Sequence, residues 1–175
     1  MRASRTSRLA PPVIEPAPHA LVSGGFVRTE TGIRPIDQVA RIGAPVSVLQ
    51  HDGTFGVLAR TFEQHYSGPM VRLVACDGAV HTIEVTPGTL VHLWVDDEAA
   101  GPGPHYQNWT RGPGRTKPAR EVRRGEYLYA ASKYGASRCE VWRAEELSYD
   151  GAVFGLDVEP AHTFTVNEIA IGNSR

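Results

Sequence analysis

Apolar and polar residues alternate over short stretches, and turn residues interrupt them at intervals. In His81–Val85, Ile83 and Val85 fall on one face and Thr82 and Glu84 on the other, the period-two signature of a half-buried strand. Val46–Gln50 ends at His51-Asp52-Gly53, and Met70–Ala75 leads to Asp77-Gly78. Asp-Gly between apolar runs is a strong hairpin signal. Thr54–Tyr66 runs into Ser67-Gly68-Pro69, which predicts a break between two strands. Further strands are predicted at Leu90–Val95, Tyr127–Ala131, Cys139–Trp142, Val153–Val158 and His162–Val166, with a last one from Ile169. Helical signals are confined to Ile36–Arg41, one or two turns, and Ala144–Leu147, one turn. Short strands punctuated by turns predict an all-β domain.

The ends of the chain have a different texture. Residues 1–19 begin polar and basic and become Pro-rich from Ala10-Pro11-Pro12 to Pro18, which predicts a flexible, extended leader. Residues 99–118, rich in Gly and Pro, predict a long surface loop. Among 175 residues, 41% are hydrophobic and 21% charged, values that fit one globular domain and exclude a coiled coil. Lys+Arg number 18 against 19 Asp+Glu, which argues against nucleic acid or an anionic membrane as partner. No apolar run approaches the roughly 20 residues of a membrane span, and no apolar segment follows the basic start as in a secretory signal. A cytoplasmic monomer is expected. Cys76 and Cys139 lie outside any metal-ligand spacing and are expected to be buried structural thiols; no metal or organic cofactor is implied.

Familiar catalytic motifs are missing. There is no GxSxG, P-loop, GxGxxG or HExxH, and the seven histidines are scattered. The pair Asn173-Ser174 is more pointed. An Asn side-chain amide can attack its own backbone carbonyl, close a succinimide and cleave the chain after it. The following hydroxyl can accept an acyl group.

In combination with four further segments, this ending resembles an intein, or more broadly the Hint fold shared by inteins and Hedgehog autoprocessing domains. Ala20-Leu21-Val22-Ser23-Gly24-Gly25-Phe26-Val27, with Gly32-Ile33-Arg34-Pro35-Ile36, is similar to the N-terminal splicing block. Ile83–Trp94 is similar to the block that carries a Thr-x-x-His motif. Pro118–Leu128 resembles the family's A-x-x-L-x-x-G-D-x-L stretch. Val153–Val166 looks like V-Y-x-L-x-V-x-x-x-H-T-F-x-V. The resemblance implies a horseshoe-like, pseudo-two-fold β fold over residues 20–173, the size of a mini-intein with no homing endonuclease. Residues 1–19 and 174–175 would then be remnants of the flanking exteins, which are the partners in cis.

The resemblance also implies roles. Ala20 stands where most inteins have Cys or Ser: either an original Cys was replaced, which traps a precursor, or the first shift is skipped and Ser174 would attack the His19 carbonyl directly. Some relatives instead start from an internal Cys supported by a Trp. Trp94 fits that Trp, but Gly155 stands at the Cys position. Two registers of the second block are open. Thr86 as motif Thr puts Thr89 at the His position; Thr89 as motif Thr puts His92 there and also fits Trp94. In the second register a protonated His92 stabilises the oxyanion at the N-terminal junction, with Trp94 packed beside its ring. Gly172 replaces the His that precedes the terminal Asn in many relatives, leaving His162, on one face with Phe164 and Val166, to move protons for Asn173 cyclisation. Asp157 lies two residues beyond Gly155, where many relatives carry Asp, and is a candidate to replace it. The reaction is single-turnover and autocatalytic. Two alternatives remain: a Hint domain that cleaves at one end only or is inactive, and a small β-barrel binding module using Trp94, Trp109 and Trp142.

Overall fold

The computed structural model describes residues 20–42, 45–94 and 115–172. The leader, most of the predicted loop, Asn173, Ser174 and Trp109 lie outside the described residues.

Eleven described strands form one antiparallel sheet around a single main core. They are β1 (Phe26–Thr29), β2 (Gly32–Pro35), β3 (Ser47–Leu49), β4 (Phe55–Cys76), β5 (Val80–Val85), β6 (Leu90–His92), β7 (Thr116–Pro118), β8 (Tyr127–Ser132), β9 (Gly135–Glu159), β10 (Thr163–Val166) and β11 (Ile169–Gly172). The order is β2-β1-β3-β4-β9-β8-β11-β6-β7, with β5 beside β4 and β10 beside β11. The two Asp-Gly signals mark the β3–β4 and β4–β5 connections, as the pattern predicts.

Two predicted breaks are absent. Ser67-Gly68-Pro69 lies within β4, and Ala144–Leu147 is strand within β9, not a helical turn. The reason is the pairing of these two strands, which runs from Val57↔Glu159 to Cys76↔Glu140 with two register shifts. At Pro69 the only described partner is β9, because β5 joins β4 from Val71 onward. Pro69 therefore sits on an edge, where its missing N–H costs no ladder bond. Ala144–Leu147 lies opposite Met70–Leu73 in the same ladder, which overrides its weak helical preference.

The one α-helix among the described residues, α1 (Ile36–Ile42), forms where the sequence predicts it. Seven residues are too few to hold a helix alone. Ile36, Val39 and Ala40 make a buried stripe at i, i+3, i+4, and Arg41 ties the outer face to Glu63 on β4 at 2.7 Å.

β10 and β11 are buried at every position rather than alternating, because neighbours cover both faces. Phe164, Val166, Ile169 and Ile171 are all at 1% exposure or less. A two-residue turn joins them, with Asn167 and Glu168 both at positive φ (47° and 70°), the combination of a type I′ hairpin. Asn167 also knits three elements. Its Oδ1 accepts from Phe26 N–H at 2.9 Å, its Nδ2 donates to Thr82 O at 2.7 Å, and its main-chain N–H donates to Phe26 O at 2.8 Å. Asn167→Ala is expected to lower stability by about 2–3 kcal/mol, combining two lost hydrogen bonds with the left-handed penalty. Asn167→Gly, which removes only the hydrogen bonds, should cost less. Urea denaturation of both variants checks the order.

Candidate functional site

The start of the described chain runs into the core. Ala20, Leu21 and Val22 are 1%, 2% and 0% exposed. Val22 is clamped by reciprocal main-chain bonds to Phe154 on β9 (2.9 and 2.8 Å), and Leu21 O accepts from Thr86 N–H at 2.9 Å. The Thr86-Pro87-Gly88-Thr89 turn closes with Thr89 N–H donating to Thr86 O at 3.0 Å; Pro and Gly at its centre suit a β-turn. That turn presents the Thr86 N–H and the Thr89 hydroxyl to the entering chain. Thr89 Oγ1 accepts from Leu21 N–H at 3.2 Å and lies 2.9 Å from Thr86 Oγ1.

Gly155 faces the same segment. A Cβ built there would stand 2.6 Å from the Ala20 carbonyl oxygen. The position that carries a side chain in many relatives is filled here by the backbone of Ala20. Asp157 is engaged elsewhere, 2.8 Å from His162 Nδ1.

The other end of the described chain, Gly172, closes β11. It pairs with Thr163 on one side and with Leu90 of β6 on the other. β6 directs His92 at this glycine: a Cβ built on Gly172 would be 3.2 Å from His92 Nε2. His92 is 4% exposed, and among the described residues no hydrogen bond reaches its ring. Its neighbour is His51, stacked with centroids 4.9 Å apart. The β3–β4 turn turns His51 inward, where Nδ1 lies 2.9 Å from Thr163 Oγ1 and the His51 carbonyl accepts from Tyr129 O–H at 2.8 Å. Trp94 stacks on Tyr129 at 5.7 Å.

His92 points to Gly172, while Thr89 and Thr86 face the N-terminal segment. Trp94 packs on Tyr129, whose ring meets His51 edge-on, and His51 stacks on His92. His162 does not continue the face of Phe164 and Val166: it precedes β10 with φ of 55°, so strand alternation does not apply, and its ring turns to Asp157. His51, Thr163 and Tyr129 complete this side of the site. No local motif marks them, since they come from three different elements.

Electrostatics also differ from expectation. Burial first, and the nearby His51 second, push the His92 pKa down to about 4. His92 is thus a neutral imidazole at physiological pH, not the protonated donor expected from an ordinary pKa.

The two thiols are free; Cys139 is buried and Cys76 half-buried. Burial and the Asp77 carboxylate hold the Cys139 thiol far above its usual range. Asp77, His81 and Cys139 bring their donor atoms within 4.8 Å of one another from the β4–β5 turn, β5 and β9, a grouping invisible in sequence spacing. The group is already hydrogen-bonded: Asp77 meets His81 Nε2 at 2.9 Å and accepts from Ser137 at 2.5 Å.

Ring-resonance titration should keep His92 neutral down to about pH 4. In the unfolded chain it protonates near about 6.5, so the unfolded state binds more protons between these values. Its contribution is complete above about pH 6.5 and declines as pH falls toward 4, by on the order of 3 kcal/mol. Denaturation at pH 5 and 7 should show this slope reduced in His92→Gln.

No family model matches the sequence, and no curated protein matches it. Solved structures do. The TvoVMA intein superposes with a TM-score of 0.67 at 16% identity, over 89% of this chain and 98% of that one. A DnaB intein from Synechocystis sp. PCC 6803 gives 0.64 at 17%, over 89% and 99%. A bacterial intein-like domain from Clostridium thermocellum gives 0.63 at 17%, over 89% and 99%. Together with the all-antiparallel topology, these superpositions establish that the chain has the all-β, horseshoe-like, pseudo-two-fold Hint fold, at the size of a mini-intein.

Proposed function

We propose that this chain is an intein-like protein-splicing domain that excises itself from flanking exteins in a single turnover. One observation carries the reading: a single short segment, Thr89–His92, meets both ends of the domain. Thr89 holds the Leu21 N–H at 3.2 Å, and His92 Nε2 lies against Gly172. A splicing domain needs its two junctions at one centre, because the residue after the downstream junction must reach the upstream carbonyl.

In this reading Ser174 attacks the His19 carbonyl and the Ala20 nitrogen leaves with a proton, giving a branched ester. The Thr86–Thr89 hydroxyl pair holds the backbone just beyond that bond, and its hydrogen bond restrains the leaving segment. Asn173 then cyclises, its side-chain nitrogen displacing the Ser174 nitrogen from the Asn173 carbonyl. An oxygen-to-nitrogen acyl shift joins His19 to Ser174. No helix among the described residues is long and apolar enough to cross a membrane.

A second reading, cleavage after Asn173 only, is favoured by Ala20. Its methyl group supplies no nucleophile, and its carbonyl is wedged against Gly155.

With a reporter fused to the C-terminus, the chain should release the reporter slowly, and Asn173→Ala should abolish release; equal release from both would exclude succinimide chemistry. In an Ala20→Cys background, a small thiol should liberate residues 1–19 as a thioester. Thr89→Ala should slow that cleavage at least about tenfold, the cost of about one hydrogen bond, and leave the Asn173 step little changed. Mass spectrometry of the fragments separates the two junctions.

A further inference from the structure

We infer that His92, supplied by β6, is the proton-transfer residue of the C-terminal cleavage step, occupying the space that a side chain at position 172 would otherwise fill. The inference rests on the Asn173 reading above and assigns a group to it.

The geometry makes the assignment. Position 172 directly precedes Asn173, and its vacant Cβ position is 3.2 Å from His92 Nε2 and 3.5 Å from Thr163 Cγ2. A side chain larger than hydrogen would press on the imidazole. Pairing of Ile171 with Val91 and of Gly172 with Leu90 fixes this approach through the backbone. His92 is also a buried polar ring with no hydrogen-bond partner among the described residues, an arrangement that costs free energy unless the group has another use. The other imidazoles nearby are committed. His51 bonds Thr163 and stacks behind His92. His162 presents its carbonyl to position 172 at 3.6 Å, while its ring bonds Asp157.

The step balances on one neutral imidazole. The Asn173 side-chain nitrogen forms a bond to the Asn173 carbonyl carbon and loses one proton to His92 Nε2. The bond from that carbon to the Ser174 nitrogen breaks, and the same proton passes from Nε2 to the departing amine. A neutral ring is needed at the outset, and burial keeps His92 neutral. The titratable groups around it are His51 from the β3–β4 turn, Tyr129 of β8 through its bond to the His51 carbonyl, and the His162–Asp157 pair before β10; none is a carboxylate bonded to the His92 ring.

The test uses the full chain with a C-terminal reporter. Wild type should release it, Asn173→Ala should not, and His92→Gln should be slower by about 100-fold or more, the usual worth of a general acid–base group. Wild-type release should persist down to about pH 5, whereas an imidazole at its ordinary pKa of about 6.5 would lose activity below that value. Gly172→His alone should slow release, because the new ring meets His92. In the His92→Ala background the same Gly172→His change should recover at least about tenfold, since the second imidazole then enters the vacated space. Release by wild type with His92→Gln within a few-fold of it would overturn the inference and leave the Asn173 reading standing, as would acceleration by Gly172→His in the wild-type background. No release by wild type would overturn both.

Discussion

Pairing of β11 with β6 is the constraint on which the rest of the site depends. It sets Gly172 beside Leu90 and thereby places Gly172 at fixed distance from the turn that receives Ala20–Val22. Thr86 and Thr89 belong to that turn, and their backbone and side chains bind Leu21 from both sides. Two points far apart in sequence are thus held by groups within the short segment Thr86–Leu90. Backbone hydrogen bonds do this with little side-chain entropy to lose, so the approach does not depend on long flexible side chains.

The interior that holds the ends also sets the chemistry available to them. Burial removes water from His92, and the nearby His51 adds to the cost of protonating it. The result is a neutral His92 against Gly172, with His51 anchored behind it by Thr163 and Tyr129. The Trp94–Tyr129 stack supports this wall from the far side. At the N-terminal side the polar groups are hydroxyls, which orient and polarise but do not take up protons near neutral pH. The two ends therefore meet different kinds of group, and neither environment follows from the identity of a single residue.

Local propensity lost to long-range pairing in two places. Gly68-Pro69 reads as a turn, and Ala144–Leu147 as helix. Both are strand because β4 and β9 zip together over almost their whole lengths. A similar override applies to alternation. β10 and β11 are covered on both faces, and the left-handed turn at His162 resets the side-chain order just before β10. Period-two reasoning describes half-exposed strands such as β5, where Ile83 and Val85 are buried as the pattern requires.

By itself the sequence determined the class of the domain: short apolar segments punctuated by turns predict an all-β domain, and the ordered blocks from Ala20 to Val166 resemble those of the Hint fold. It also determined that position 20 lacks a nucleophile and position 172 lacks an imidazole, since these are matters of residue identity. Tertiary structure decided which groups meet. That Thr89 rather than His92 faces Leu21, that a β6 histidine lies in the space left by Gly172, and that the Ala20 carbonyl fills the place beside Gly155 all depend on contacts between residues far apart in the chain. Spacing along one strand cannot encode such contacts, because a shift of one or three residues in register sends a side chain to a different end of the site.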